Sequence, residues 1–162
     1  MKKTTALLRA FTFLMQAFMI IGLISCDTNR IFEENYEIEN QVWNLDQSIE
    51  FTPVIPDTLA VSNVYLNIRN TDEYSYRNLF LFITTTAPTG YWIIDTVEIV
   101  MADKRGKWTG SGFGGVFFNQ ELFKANVRFP YPGSYSFKIE HGMRVEDLKG
   151  IRDVGLRIEI QE

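Results

Sequence analysis

The 162-residue chain holds few side chains with reactive chemistry: one histidine, His141, and one cysteine, Cys26. A transition-metal centre draws on several His and Cys ligands, which these two do not supply. A Ser-His-Asp relay would need His141 as its base, and no G-x-S-x-G elbow accompanies it. His141-Gly142 follows an alternating apolar stretch, so His141 reads as a turn histidine. Carboxylate pairs such as Glu33-Glu34 and Glu146-Asp147 have the composition for glycoside hydrolysis, which needs two opposed acids. Twenty acidic residues on a small domain make such pairs unavoidable, and they read as solvated surface. Asp57, Asp72, Asp95, Asp103 and Asp153 are placed at strand ends, where turn chemistry accounts for them, and no D-x-[DN]-x-[DN]-G calcium loop is present. No catalytic residue, cofactor or metal is expected.

Two further motifs have a chemical and a structural reading. Gly110-Ser111-Gly112-Phe113-Gly114-Gly115 has the form G-x-G-x-x-G, but Val116-Phe117-Phe118 follows where a nucleotide site needs a helix. It reads instead as a bulged loop or strand edge where backbone approaches backbone. Trp43, Trp92, Trp108, Tyr91 and Tyr131 offer rings on which a sugar can stack, whereas core packing is the commoner use of such residues. Tyr91-Trp92, beside a hairpin turn, and Trp108, beside a glycine loop, are the candidates.

Cys26 has the strongest context. Lys2, Lys3 and Arg9 precede an apolar stretch from Phe11 to Ile24, which is short for a membrane span and has the layout of an export signal. The stretch ends in Leu23-Ile24-Ser25-Cys26, which resembles the lipobox of bacterial lipoproteins. That resemblance implies cleavage before Cys26 and acylation of its thiol, so residues 1–25 are expected to be a lipoprotein signal peptide. As the sole cysteine, Cys26 has no partner for a disulfide within the chain. A second expected segment, 26–35, is a short tether of roughly ten residues, reaching at most about 35 Å. The membrane, through lipid on Cys26, is the first partner expected.

Without residues 1–25 the chain keeps 137 residues, which suits one domain, expected over 36–162. The leader takes three of 16 basic residues and none of 20 acidic ones, leaving a formal charge of −7. Such a domain repels phosphate backbones, so no nucleic-acid partner is expected.

The elements that must position these residues are strands. Period-2 alternation places Ile49 and Phe51 on one face, then Val64, Leu66 and Ile68 within a strand over Thr58 to Arg69, with Tyr65, Asn67 and Arg69 outward. Leu79, Leu81 and Ile83 alternate with Phe80 and Phe82, which predicts a strand covered on both faces. Ala87-Pro88-Thr89-Gly90 predicts a hairpin into Tyr91 to Met101, with Asp95 hinting at a bulge on the apolar parity. A helical turn is expected within Asn119 to Asn126, a short strand over Val127 to Phe129, and a loop over Asp147 to Asp153. Tyr135, Phe137 and Ile139, and then Val154, Leu156, Ile158 and Ile160, complete the strands. Eight or nine strands separated by turns predict an all-β, antiparallel, jelly-roll-like β-sandwich.

In order and spacing, a set of segments resembles the gliding-motility lipoproteins of Bacteroidetes called GldH. They include Asp57-Thr58-Leu59, Tyr65-Leu66-Asn67-Ile68-Arg69-Asn70, Asn78-Leu79-Phe80-Leu81-Phe82 and Gly106-Lys107-Trp108-Thr109-Gly110. Arg128-Phe129-Pro130, Pro132-Gly133-Ser134-Tyr135, Gly142-Met143-Arg144 and Gly150-Ile151-Arg152-Asp153-Val154-Gly155-Leu156-Arg157 continue the match. The resemblance implies a non-enzymatic lipoprotein of the cell envelope, at the outer membrane facing the periplasm, that serves surface gliding and type IX secretion by docking other envelope proteins. A glycan-binding sandwich module is the alternative. Arginine is enriched in interfaces, which makes Arg69, Arg128, Arg144 and Arg157 candidates beside Trp92 and Trp108. Pairing with the acidic surplus is the plainer role for the four arginines. Oligomeric state is left open.

Overall fold

Alternating sequences hide one face each, and two such faces make a core. In the computed structural model, which describes residues 28–161, thirteen strands and no α-helix occur among the described residues. The first half of the chain forms β1 (Arg30–Glu37), a 3-10 turn (Glu39–Gln41), β2 (Val42–Asn44), β3 (Ile49–Phe51), β4 (Val54–Ile55), β5 (Ser62–Thr71) and β6 (Asn78–Thr86). Then come β7 (Trp92–Val100), β8 (Ser111–Phe113), β9 (Val116–Val127), β10 (Gly133–Ser134), β11 (Ser136–His141), β12 (Asp147–Lys149) and β13 (Ile151–Ile160). The expected signal peptide and Cys26 lie outside the described residues.

The strands form an antiparallel β-sandwich. One sheet runs β1-β13-β5-β9-β8 and the other β3-β11-β6-β7, with two small ribbons, β10-β4 and β12-β2. The inner faces carry the predicted alternation: Val64, Leu66, Ile68, Val154, Leu156 and Ile158 from one sheet, and Leu79, Leu81, Ile83, Phe137 and Ile139 from the other. Each such fully buried side chain contributes about 1.5–3 kcal/mol. At one side of the sandwich Phe32 packs edge-on to Phe51 at 6.4 Å, and at the other Lys124 reaches Asp95 at 2.7 Å.

Several expectations are corrected. The strand expected from Thr58 starts at Ser62, because Asp57 Oδ1 accepts the Leu59 N–H and holds the preceding segment as a turn. Asn67 lies on the outer face as expected yet is buried there: its Nδ2 donates to Glu33 Oε1 and its Oδ1 accepts from Gln120 Nε2. The helical turn expected within Asn119 to Asn126 is strand instead, since β9 pairs with β5 along its length. The short strand expected over Val127 to Phe129 gives way to the end of β9 at Val127. No bulge falls at Asp95, because β6 and β7 pair in continuous register; the irregularity lies opposite, in β9, where the register slips at Phe123. The loop expected over Asp147 to Asp153 contains β12, paired with β2, and the start of β13. Residues 30–35, expected as tether, belong to β1, which is held by main-chain pairing to β13 rather than by an apolar pattern.

Candidate functional site

The two outer faces of the sandwich differ in chemistry. The outer face of the five-stranded sheet is polar and internally matched. Arg69 Nε donates to Asp153 Oδ1 at 2.7 Å, and Arg157 bridges Glu33 and Glu159, each at 2.7 Å. Glu33 also receives Arg30 at 3.0 Å. Two of the four candidate arginines, Arg69 and Arg157, therefore stand in ion pairs. Asp153 and Asp95 sit within strands, not at the strand ends expected of them.

The outer face of the four-stranded sheet exposes apolar side chains where β6 meets β7, interleaved with Thr84, Thr96 and Glu98. Phe80 and Phe82, expected to be covered, are not: Phe82 is 43% exposed. Beside them on β7, Trp92 is 59% and Ile94 58% exposed. β7 is an edge strand, paired only with β6 among the described residues. Its sequence, Trp92-Ile93-Ile94-Asp95-Thr96-Val97-Glu98-Ile99-Val100, has neither the lysine nor the proline that commonly protects an edge. Its charges are Asp95, which points inward, and Glu98, whereas the β1 edge carries Glu33, Glu34 and Glu37.

At one end of this face lies a groove of about 480 Å³ lined by Tyr76, Asn78, Phe80, Phe82, Met143 and Arg144. Gly142 shapes it: its N–H donates to Phe80 O at 2.7 Å, and a Cβ there would stand 2.9 Å from the Phe82 ring. The Phe80 N–H faces Met143 Sδ at 3.5 Å, and Asn78 Nδ2 donates to Glu98 Oε1 at 2.8 Å. Arg144 is exposed at the rim, and Arg128 lies elsewhere, at a cleft between the two sheets. The structure thus does not bring the four arginines together.

Trp108 is half-buried near the far end of β7, through an isolated bridge between Ala102 and Trp108. Its ring is tilted against Tyr74 and Phe117, and its Nε1 donates to Asp72 Oδ1 at 3.4 Å. Trp92 begins β7, so the two indoles sit at opposite ends of a nine-residue strand and share no platform. Tyr91 precedes Trp92 and so projects toward the opposite face. Trp43 is wholly buried, with its Nε1 donating to Gln47 O at 2.8 Å.

His141 is corrected from turn to core. It ends β11 on the inner face, 1% exposed, with its ring 5.3 Å from Trp43 and edge-on to it. Neither ring nitrogen has a hydrogen-bond partner among the described residues. Burial pushes its pKa below the ordinary imidazole value, and the nearby Trp43 main chain opposes this only in part. Asp103 accepts the N–H groups of Arg105 at 2.8 Å and Lys107 at 2.9 Å, and these bonds lower its pKa. It is a turn residue, as expected. The glycine run is a tight hairpin: Phe113 pairs with Val116 around Gly114 and Gly115, at φ 66° and 81°. Both glycines adopt the positive φ that a tight hairpin turn requires, and strand β9, not a helix, follows them. No group of three or more metal-ligating side chains occurs among the described residues.

Sequence comparison places these features in a family context. Residues 30–158 match the model of the GldH lipoprotein family. A gliding motility lipoprotein GldH homolog of Christiangramia forsetii is 37% identical over 157 residues, covering 93% of this chain and 96% of that protein. Gliding motility lipoprotein GldH of Flavobacterium johnsoniae is 34% identical over 146 residues, covering 86% and 90%. Among solved structures, the Yersinia pseudotuberculosis-derived mitogen aligns over 81% of this chain and 87% of its own, at 7% identity and a TM-score of 0.32, too low to carry an argument.

Proposed function

This chain belongs to the GldH gliding-motility lipoprotein family, and from that premise we propose that it is a non-enzymatic docking component of the gliding and type IX secretion machinery. It is anchored through acylated Cys26 at the outer membrane, facing the periplasm. The observation that carries docking is the exposure of Phe82, Trp92 and Ile94 on the outer face of β6 and β7, beside an edge strand with no lysine or proline. An edge of this kind accepts an extended segment of another protein as an added strand, main-chain bonds supplying affinity and alternate side chains specificity. The groove at Phe80 and Met143 then receives a side chain of that segment, with Arg144 at its rim.

The test is crosslinking and affinity purification of the tagged lipoprotein from intact cells, beside Ile94→Lys and Cys26→Ala forms. Gliding and secretion proteins recovered with the native form and lost from Ile94→Lys support strand addition. Recovery of the lipoprotein alone, with gliding and cargo secretion intact after gene deletion, overturns it.

A further inference from the structure

Between the sheets, at the end of the sandwich where β5 begins and β9 ends, an open cleft of about 300 Å³ enters the core. Its walls are apolar: Val64, Ile93, Phe123, Val127, Tyr135 and Phe137 come from both sheets. The cleft lies against β9 where its register with β5 slips twice, between Ser62 and Val64 and between Val64 and Tyr65. Tyr65 pairs with Leu122 and Val64 with Lys124, so Phe123 is the extra residue that the bulge re-aims. Two cations border it. Lys124 is matched by Asp95 at 2.7 Å, whereas Arg128 is exposed and has no ion pair among the described residues.

The same end carries the N-terminal side of the domain. The Ile160 N–H donates to Asn29 O at 2.7 Å, and Ser62 pairs with both Ile160 and Val127, so the entry of the chain and the cleft lie at one end of one sheet. Three strand spacings, about 14 Å, separate β1 from β9. Cys26 precedes Arg30 by four residues, a length of chain that spans at most about 14 Å. Exposed apolar side chains gather here as well: Leu59, 78% exposed, before β5; Tyr91, 70% exposed, in the β6–β7 hairpin; and Tyr131 after β9. Gly133 rests against Pro88, which ties the Tyr131 segment to that hairpin. Amphipathic aromatics of this kind favour the boundary between water and lipid. The charged turn Asp103-Lys104-Arg105 lies beyond the far end of β7.

From this juxtaposition we infer that the cleft end of the sandwich rests on the membrane and that the cleft takes part of one acyl chain of an anionic phospholipid, whose headgroup phosphate Arg128 binds. The volume equals about ten water-sized units, enough for a stretch of chain rather than a whole one. The unmatched guanidinium favours a phosphate-bearing lipid, because the diacylglycerol expected on Cys26 offers it ester carbonyls but no phosphate. Orientation toward the membrane rests on the lipoprotein reading; the acyl site itself does not rest on docking, and its readout is separate.

The full-length lipoprotein, reconstituted in nanodiscs of phosphatidylglycerol and phosphatidylcholine, is irradiated with a trace of phosphatidylglycerol bearing a diazirine at its acyl terminus. Adducts are mapped by peptide mass spectrometry. Adducts concentrated on Phe123, Val127 and Tyr135 are expected. They should fall about tenfold in Arg128→Glu, an exposed change that leaves folding intact, and similarly in Val127→Trp, which fills the cleft. Replacing labelled phosphatidylglycerol by labelled diacylglycerol, which has no phosphate, should produce a comparable fall. Adducts spread evenly over the surface, or unchanged in both variants, overturn the site. A cleft that labels only when Cys26→Ala removes the protein's own lipid assigns it to the anchor and overturns the phospholipid.

Discussion

Lys124 Nζ lies 2.7 Å from Asp95 Oδ1, and this ion pair joins β9 of one sheet to β7, the edge strand of the other. Both side chains point inward, where an apolar residue would ordinarily stand, and each is about a third exposed. The second Asp95 oxygen, Oδ2, is buried without a partner among the described residues. Lys124→Ala should therefore destabilise by about 1–3 kcal/mol, since it leaves a partly buried carboxylate unmatched. The coupling between the two residues should be smaller, about 0.5–1 kcal/mol, because water reaches both. A double-mutant cycle in urea, with Asp95→Ala as the second arm, measures both quantities.

His141 makes stability depend on pH. Burial holds its folded-state pKa below the ordinary value of 6.5, so the unfolded chain takes up the proton first as pH falls. Its contribution is fully present above about pH 6.5 and is lost below it, at up to about 1.4 kcal/mol per pH unit. Urea midpoints compared between pH 7 and pH 5 should fall more in the native chain than in His141→Phe. At pH 8 the Phe variant should equal or exceed the native stability, because it removes two unpartnered buried nitrogens.

Gly150 connects β12 to β13 at φ 83°, and a Cβ there would collide with the Tyr74 backbone nitrogen. Its N–H donates to Gln41 O and its carbonyl accepts the Thr71 N–H, both at 2.9 Å, so the turn clasps two distant segments. Gly150→Ala should cost about 2–3 kcal/mol, read as a lowered thermal midpoint.

Ile94 and Phe82 test the docking face without disturbing the core. Ile94→Lys places on β7 the charge that edges commonly carry, and should change stability by no more than about 0.5 kcal/mol. Phe82→Ser, which strips a half-buried ring from Gly142, should cost about 1–2 kcal/mol and still fold. Both should fold, by circular dichroism, yet lose the crosslinked partners of the native lipoprotein. Retained crosslinking with both would place docking on another surface.

Much was legible from residues alone. Apolar alternation identified the inner faces of β5, β6, β11 and β13, because period-2 burial is written locally in the chain. Turn chemistry identified the Pro88–Gly90 hairpin, and the Gly110–Gly115 run read as an edge where backbones meet. The ordered set of segments pointed to the family. Tertiary structure decided what depends on neighbours. β1 is polar and becomes a strand only because β13 offers its main chain. β9 alternates poorly because it carries Asn119, Glu121 and Lys124 toward the interior, where Asn70 and Asp95 meet two of them. His141 is buried because Trp43, about a hundred residues earlier, closes over it. Whether Phe82 is covered, and whether an arginine has a partner, depends on which surfaces the two sheets leave open. No local pattern states that, because burial and charge matching are properties of the assembled pair of sheets.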